Sequence, residues 1–404
     1  MALTVFDIGP QGRTESQWAA DLKSQPLLID IESGLWGIGR KGLVQISAEG
    51  ASTIVPTKTS LSGLGRTTPT FADVFVDIES DGQAEAVIAS GNRIRIVGVE
   101  GQERASIPVR SQGELKVRSR GGTQVISSSV TPTWHMDDFD GDGFKDLLLP
   151  DGKTLTLYRF TAEGVQAKQV LRLPIDIAEK KREGTKKDGE TERRVISVWF
   201  EDLNGDQKTD FIAQLWVTQG SWMGAEGELM FAKGTGVGFE APQRMSSENA
   251  VLLVRILDID GDGDKDITSA EVDFGVANLT RAMLSQKIKV DLMYREMNSD
   301  GYSEATELYD VVVPVGNDRD PPVKIEHDLT GDGVFDLVTS QGSEAVHVFK
   351  GTGNGFEKTP IATLDVGFVQ GEHKLWVGDL TGDNRAEIVV WKLRTQRGQV
   401  LQLR

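Results

Sequence analysis

Apolar residues in this chain come in short runs that turns interrupt, and extended alternation outweighs helical spacing. The segment RIRIV at Arg93–Val97 alternates charged and apolar positions, as a strand with one buried face does. A continuous apolar run at Leu147–Leu149 follows an acidic stretch, and Ala86–Ala89 occupies the same place one unit earlier. Phe71–Val76, Ala105–Val109, Pro26–Ile31, Gly42–Ile46 and Ser52–Pro56 are further predicted strands. Helical periodicity is confined to Val276–Gln286, where Val276, Leu279, Met283 and Leu284 predict one short helix.

One sentence recurs through the pattern. It is clearest as DFDGDGFKD at Asp138–Asp146. Related loops open at Asp77, Asp202, Asp258, Asp328 and Asp379, and a decayed copy opens at Asp21, where Lys23 and Gln25 take the acidic positions. Successive starts lie 51 to 70 residues apart (21, 77, 138, 202, 258, 328, 379). Each unit reads as strand, acidic loop, strand, hairpin, strand, strand. Seven such units predict an all-β fold, a seven-bladed β-propeller of four-stranded antiparallel blades in one domain over residues 1–404. The last unit supplies three strands (374–380, 387–393, 399–403), so the N-terminal run Thr4–Ile8 is expected to complete its blade and close the ring. The alternative, a linear solenoid of separate sheets, needs capping repeats that the chain lacks.

Composition narrows the chemistry. There are no cysteines, which excludes disulfides, thiolate metal sites and Cys nucleophiles. No apolar stretch is long enough to predict a membrane span. The N-terminal MALTVFDIGPQG lacks a basic segment followed by an apolar core, so no leader is expected in this chain. The formal charge of −17 argues against nucleic acid as a partner. Much of that charge sits in the acidic loops themselves.

Those loops have the chemistry of a calcium site. Carboxylates at positions 1, 3 and 5 and a backbone carbonyl at 7 can wrap one hard cation, and glycines at 4 and 6 permit the tight turn. The best loop offers Asp138, Asp140, Asp142, Phe144 (carbonyl) and Asp146. The next offer Asp202, Asn204, Asp206, Lys208 and Asp210, then Asp258, Asp260, Asp262, Asp264 and Asp266. The last two offer Asp328, Thr330, Asp332, Val334 and Asp336, then Asp379, Thr381, Asp383, Arg385 and Glu387. The loop at Asp77, with Glu79, Asp81, Gln83 and Glu85, has longer acids and no glycine at position 4. Position 12 never carries the bidentate Glu of an EF-hand, and the acid falls at position 9 before a β-rich run. Five or six structural calcium ions are expected, with weaker binding where Thr330 and Thr381 replace an acid.

The nine-residue loops, with KGTGVGF (Lys233–Phe239) and KGTGNGF (Lys350–Phe356) one hairpin later, resemble the FG-GAP or VCBS repeat of integrin α-subunit propellers and many exported bacterial proteins. The resemblance covers nearly the whole chain. It implies a seven-bladed propeller, calcium between the first and second strands of a blade, and an adhesion or scaffold role. The GxGxGF stretches lack the helix of a phosphate-binding loop and read as hairpin turns, with Phe239 and Phe356 packing between blades.

Long insertions fall on connections away from the acidic loops: 111–131, 176–194, 218–227, 271–287 and 315–322. Trp222 and Met223 in one, and Arg319 in another, are expected to contact a protein or glycan on that face. Of the four histidines, His135 and His327 directly precede acidic loops, His135 beside Asp137 and His327 beside Glu326. No nucleophile elbow, HExxH or paired-acid motif accompanies them, and no catalytic residues are assigned. The function expected is that of a calcium-stabilised binding or scaffold module outside the cytoplasm. The alternative is a lyase-like polysaccharide enzyme or its accessory subunit.

Overall fold

The computed structural model describes residues 2–8, 14–21, 27–29, 36–39, 42–47, 50–56, 75–90, 92–98, 101–110, 112–118, 124–130, 133–178, 191–219, 225–285, 287–314, 323–340, 345–352, 355–365, 373–378, 385–392 and 397–401. The chain divides into two compact units, the first drawn mostly from residues up to 178 and the second mostly from those after it.

The first unit contains three four-stranded antiparallel sheets. They are built from Leu27–Ile29, Trp36–Gly39, Gly42–Ser47 and Gly50–Pro56; from Phe75–Val76, Glu85–Ser90, Arg93–Val97 and Glu103–Pro108; and from His135–Asp137, Asp146–Asp151, Thr154–Thr161 and Gly164–Arg172. The second unit contains three more. These are Thr191–Glu201, Asp210–Gln219, Glu226–Ala232 and Gln243–Ser247; Ala250–Leu257, Asp266–Val272, Lys287–Arg295 and Thr306–Pro314; and Val323–His327, Asp336–Thr339, Ala345–Phe349 and Ala362–Asp365. A three-stranded sheet follows, His373–Gly378, Glu387–Lys392 and Arg397–Leu401. Each sheet is a meander, with strands hydrogen-bonded in chain order, except that a small hairpin (Met297–Asn298 with Gly301–Tyr302) intervenes in the fifth.

The apolar runs explain this order. In each described repeat from the second to the sixth, the strand after the acidic loop takes a central place in its sheet. Asp266–Val272 and Asp336–Thr339 are buried along their whole length, because sheets cover both faces. The cores accordingly lie between consecutive sheets. Ile78, Val87, Ile94, Ile96 and Ile107 of the second sheet's repeat pack on Leu147, Tyr158 and Phe160 of the third. Leu203, Ile212, Leu229 and Phe231 meet Val251, Val254 and Ile267, and Val338, Val346 and Val348 meet Leu375, Val377, Ile388 and Val390. Each fully buried Ile or Leu contributes roughly 1.5–3 kcal/mol. A sheet stripped of its neighbour would expose one such layer.

Several sequence expectations change. Residues 111–131, read as an insertion loop, contain a hairpin of Gln112–Arg118 with Gln124–Val130. In the sequence Leu115 and Val117 alternate in one strand and Val125 and Ile126 are adjacent in the other, a pattern diluted by the serines at 127–129. The connection read at 176–194 already becomes strand at Thr191. The first sheet has an unexpected strand, Trp36–Gly39, whose alternating glycines depress its β-propensity. The last sheet has three strands as expected. The N-terminal strand Ala2–Ile8, expected to complete it, is hydrogen-bonded instead to Thr14–Asp21 in a two-stranded sheet.

The predicted helix forms over Val276–Ser285 (α1). Its buried residue is Ala282, while Val276, Met283 and Leu284 are 71%, 84% and 84% exposed. Among the described residues, no helix is long and apolar enough to cross a membrane.

Candidate metal centre

Each described acidic loop joins the first and second strands of its sheet, and its first aspartate organises the turn. Asp138 Oδ1 accepts the amides of Gly141 (2.7 Å) and Asp142 (3.1 Å), and Oδ2 accepts that of Gly143 (2.8 Å). Asp258 accepts Gly261 and Gly263, and Asp328 does the same with Gly331 and Gly333. Position 5 repeats the device two residues on, where Asp142, Asp206 and Asp332 cap the amides of Phe144, Lys208 and Val334. Glycines are needed at positions 4 and 6, where φ is +79° and +90° in the Asp138 loop. Ser80 and Gln207 take the same backbone region in the loops at Asp77 and Asp202. A missing glycine, at position 4 for Ser80 and at position 6 for Gln207, therefore changes the residue and keeps the turn.

This turn gathers acids on one side. Asp138, Asp140 and Asp142 bring one carboxylate oxygen each within 4.8 Å of one another, and so do Asp258, Asp260 and Asp262. Position 3 varies elsewhere. Asn204 donates its Nδ2 to Asp210 (2.8 Å), and Thr330 donates Oγ1 to Asp328 (3.3 Å).

The acid at position 9 does something the spacing did not reveal. It is buried, and it clamps two segments of backbone. Asp210 Oδ2 accepts the Leu203 amide (3.2 Å) while Oδ1 accepts that of Gly234 (2.6 Å). Asp266 bridges Ile259 and Met297, and Asp336 bridges Leu329 and Gly351. Asp146 takes the Phe160 amide (3.0 Å). For Asp210, Asp266 and Asp336 the second partner lies just after the third strand, where KGTGVGF and KGTGNGF fall in two of the three; for Asp146 it is Phe160, near the end of the third strand. Glu85 accepts Ile78 in the same way (3.2 Å). The loop and that hairpin are thus one structure. The sequence shows the acid and, in two repeats, the later glycine motif, but not that the two meet.

Neighbouring loops are also tied together. The position-2 carbonyl of one accepts the position-8 amide of the next: Ile78 from Lys145 (2.9 Å), Leu203 from Lys265 (2.7 Å) and Ile259 from Phe335 (3.3 Å).

Electrostatics follow from burial and crowding. Burial, with the neighbouring acids, pushes Asp146 and Asp210 up to about 7 and Asp266 up to about 6. Asp264 rises to about 7, through burial and then the charge of Asp262. Asp260 is raised by the same causes. Asp332 goes the other way, because the Lys350 ammonium hydrogen-bonds it at 2.8 Å. Asp140 Oδ1 and Asp202 Oδ1 are buried and accept no hydrogen bond.

Residues 328–390 match the family model of the FG-GAP-like repeat. The match begins at the Asp328 loop and ends in the second strand of the last sheet. The loops at Asp77, Asp138, Asp202 and Asp258 share the local geometry of that FG-GAP-like segment. No curated protein matches the chain in sequence. Among solved structures, the exotype rhamnogalacturonan lyase YesX is 12% identical, with a TM-score of 0.36, covering 95% of this chain and 66% of that one. A Bacillus licheniformis rhamnogalacturonan lyase is 13% identical, with a TM-score of 0.34 and coverage of 92% and 65%. The V. cholerae biofilm matrix protein Bap1 is 10% identical, with a TM-score of 0.32 and coverage of 97% and 84%.

The donor set suits a hard divalent cation. It is all oxygen, it converges, and it includes buried carboxylate oxygens without donors. In the loops flanking them, positions 7 (Gln83, Phe144, Lys208, Asp264, Val334) fall where the chain turns into the second strand. Asp379, Thr381, Asp383 and the side chain of Glu387 lie outside the described residues, as do Trp222, Met223 and Arg319. Arg385 is described, and its guanidinium reaches the Thr330 carbonyl. Phe239 packs against Phe200 and Phe211 of its own sheet (centroids 6.2 and 5.9 Å). Phe356 joins a core shared by the fifth and sixth sheets, the inter-sheet location expected for both residues, whereas the ring contacts just given keep Phe239 with its own sheet. His135 is mostly buried, and burial lowers its pKa to about 4, so it is neutral at ordinary pH. His327 pairs in register with Asp336.

Proposed function

We propose that the chain is a calcium-stabilised, propeller-type binding or scaffold module that works outside the cytoplasm. Each repeat is read as one blade of a propeller-type fold, and calcium sits in the loops at Asp77, Asp138, Asp202, Asp258, Asp328 and Asp379. The observation that carries this reading is the convergence of Asp138, Asp140 and Asp142, and of Asp258, Asp260 and Asp262, with oxygens inside 4.8 Å. Bound calcium would neutralise these carboxylates. The protein's own part is to hold them in place through position-1 and position-5 capping and the position-9 clamp. Loops with neutral ligands such as Asn204 and Thr330 fit the micromolar to millimolar calcium found outside cells.

The partner, a protein or a glycan, binds at the strand ends away from the acidic loops. Trp222 and Met223, from the segment between Asp210–Gln219 and Glu226–Ala232, and Arg319, from that between Thr306–Pro314 and Val323–His327, are the proposed contacts. The helix α1 follows Asp266–Val272 at the end opposite its acidic loop and exposes Met283 and Leu284. Equilibrium dialysis against calcium, with a pull-down from the native envelope in calcium and in chelator, tests the proposal. Binding of several ions and calcium-dependent capture are expected. Absence of bound calcium would refute the reading.

A further inference from the structure

The segment that donates an amide to position 9 also places the preceding residue against the acidic loop. In the third repeat, Phe160 donates to Asp146, and Arg159 before it pairs with Asp140. In the fourth, Gly234 donates to Asp210, and Lys233 before it holds Asp206 at 3.1 Å. In the sixth, Gly351 donates to Asp336, and Lys350 before it holds Asp332 at 2.8 Å. The second repeat reaches the same end by another route, with Arg104 placed 3.4 Å from Glu79. Each of these loops carries its own cation.

The fifth repeat reverses the sign. Met297 donates to Asp266, and the residue before it is Glu296. Its charge acts on Asp260 together with Asp258 and Asp262. Among the described residues, no Lys or Arg pairs with Asp258, Asp260, Asp262 or Asp264. Lys265, inside the same loop, pairs instead with Glu201. Asp264 Oδ1 is buried with no hydrogen-bond partner. This loop therefore concentrates carboxylates with nothing internal to offset them. An ammonium on a flexible stem is a point charge that can stand in for a metal ion, and a metal must displace it to reach the same oxygens.

We propose that the residue before the position-9 amide donor sets the order in which the loops take up a divalent cation. Arg159, Lys233 and Lys350 are tethered competitors that weaken their loops for calcium and hold them together without it. Glu296 makes the Asp258 loop the first to fill. The inference rests on the metal reading above and adds to it a ranking of the loops by their internal counter-charge. It also gives the chain a graded response, with one loop filled at low calcium and the others only as calcium rises.

Calorimetric titration of the whole chain with Ca²⁺ alone, beside the Glu296→Lys, Lys233→Ala and Lys350→Ala variants, tests it. All three side chains lie at the surface of their loops, and thermal unfolding in excess calcium checks that each variant folds. Glu296→Lys is expected to weaken the tightest site about tenfold and leave the others unchanged. Lys233→Ala and Lys350→Ala are each expected to tighten one of the weaker sites by about tenfold. A Glu296→Lys chain that keeps its tightest site overturns the ranking while leaving the metal reading intact. A wild-type chain that takes up no calcium overturns both.

Discussion

Asp210 and Gly234 are joined by a 2.6 Å hydrogen bond from the glycine amide to the buried carboxylate, across 24 residues of chain. The other oxygen of Asp210 accepts Leu203 N and Asn204 Nδ2. One side chain thus satisfies three donors and fixes the acidic loop to the hairpin beyond it. Asp210→Ala would leave these donors buried without a partner, at roughly 1–3 kcal/mol each. Asp210→Asn keeps an acceptor for Gly234 but turns an NH₂ group toward two donors. Denaturant unfolding is expected to rank the chains wild type, Asn, then Ala, with a loss of about 3 kcal/mol or more for Ala. A loss below 1 kcal/mol would show that the clamp is dispensable.

Gly234 and Gly351 occupy the same place in two repeats and are glycine for the same reason. A Cβ on Gly234 would collide with the Thr209 carbonyl oxygen, and one on Gly351 with that of Phe335. Both obstacles are backbone, so neither can move aside cheaply. Gly234→Ala and Gly351→Ala should each destabilise by roughly 1–3 kcal/mol or more, and should break the hydrogen bond to the position-9 acid. Gly238→Ala, where the added methyl meets open space, is the control and should leave the melting temperature unchanged.

The buried acids make the stability of the metal-free chain depend on pH. Asp146 and Asp210 titrate near 7 and Asp266 near 6 in the fold, against about 3.8 for an ordinary Asp. The fold therefore prefers them protonated. Their contribution is fully present below about pH 4 and is lost as pH rises through 6 to 7. His135 opposes this, since its lowered pKa costs stability as pH falls below 6.5. Three carboxylates outweigh one imidazole, and each tenfold change in proton affinity is worth about 1.4 kcal/mol. In chelator, the melting temperature should fall between pH 5 and pH 8, and Asp210→Asn should flatten the slope. A rise over that interval would contradict the assignment.

Met283 and Leu284 on α1 are exposed at 84% each and touch no core. Apolar side chains presented this way are expected to bind something if the strand ends opposite the acidic loops are the partner face. Met283→Asp with Leu284→Asp should leave the unfolding midpoint within about 0.5 kcal/mol of wild type and reduce partner capture. Unchanged capture would place the contact elsewhere.

The repeats, the acidic loops and the strand after each loop were legible because each rests on local residue order. Asp-Gly alternation sets the turn, and the apolar run after it must be buried on both sides. The position-9 clamp was not legible, because it depends on a hairpin some twenty residues later, and an Asp reads alike as ligand or backbone acceptor. The helix was found by its spacing, yet three of its larger apolar residues, Val276, Met283 and Leu284, are exposed. Leu279, the other periodic residue, is half-buried, while Ala282 is the buried one. The hairpin in 111–131 was missed because serine-rich strands look like linkers.

Removing divalent cations tests whether the loops are prebuilt or depend on an ion. Much of each turn is made by backbone amides donating to Asp138, Asp258 or Asp328, bonds that need no metal. What remains is repulsion among acids within 4.8 Å, which those amides only partly offset. An ion that binds the fold and not the unfolded chain adds about 2.7 kcal/mol at a hundredfold excess over its Kd. With several loops occupied, chelator should lower the melting temperature by many degrees, and calcium should restore it. The Asp258→Ala, Asp262→Ala chain should lose more of this calcium-dependent gain than Asp328→Ala, Asp332→Ala, because Lys350 already offsets one acid of the Asp328 loop. Equal losses would mean that the internal cation has no bearing on what calcium stabilises.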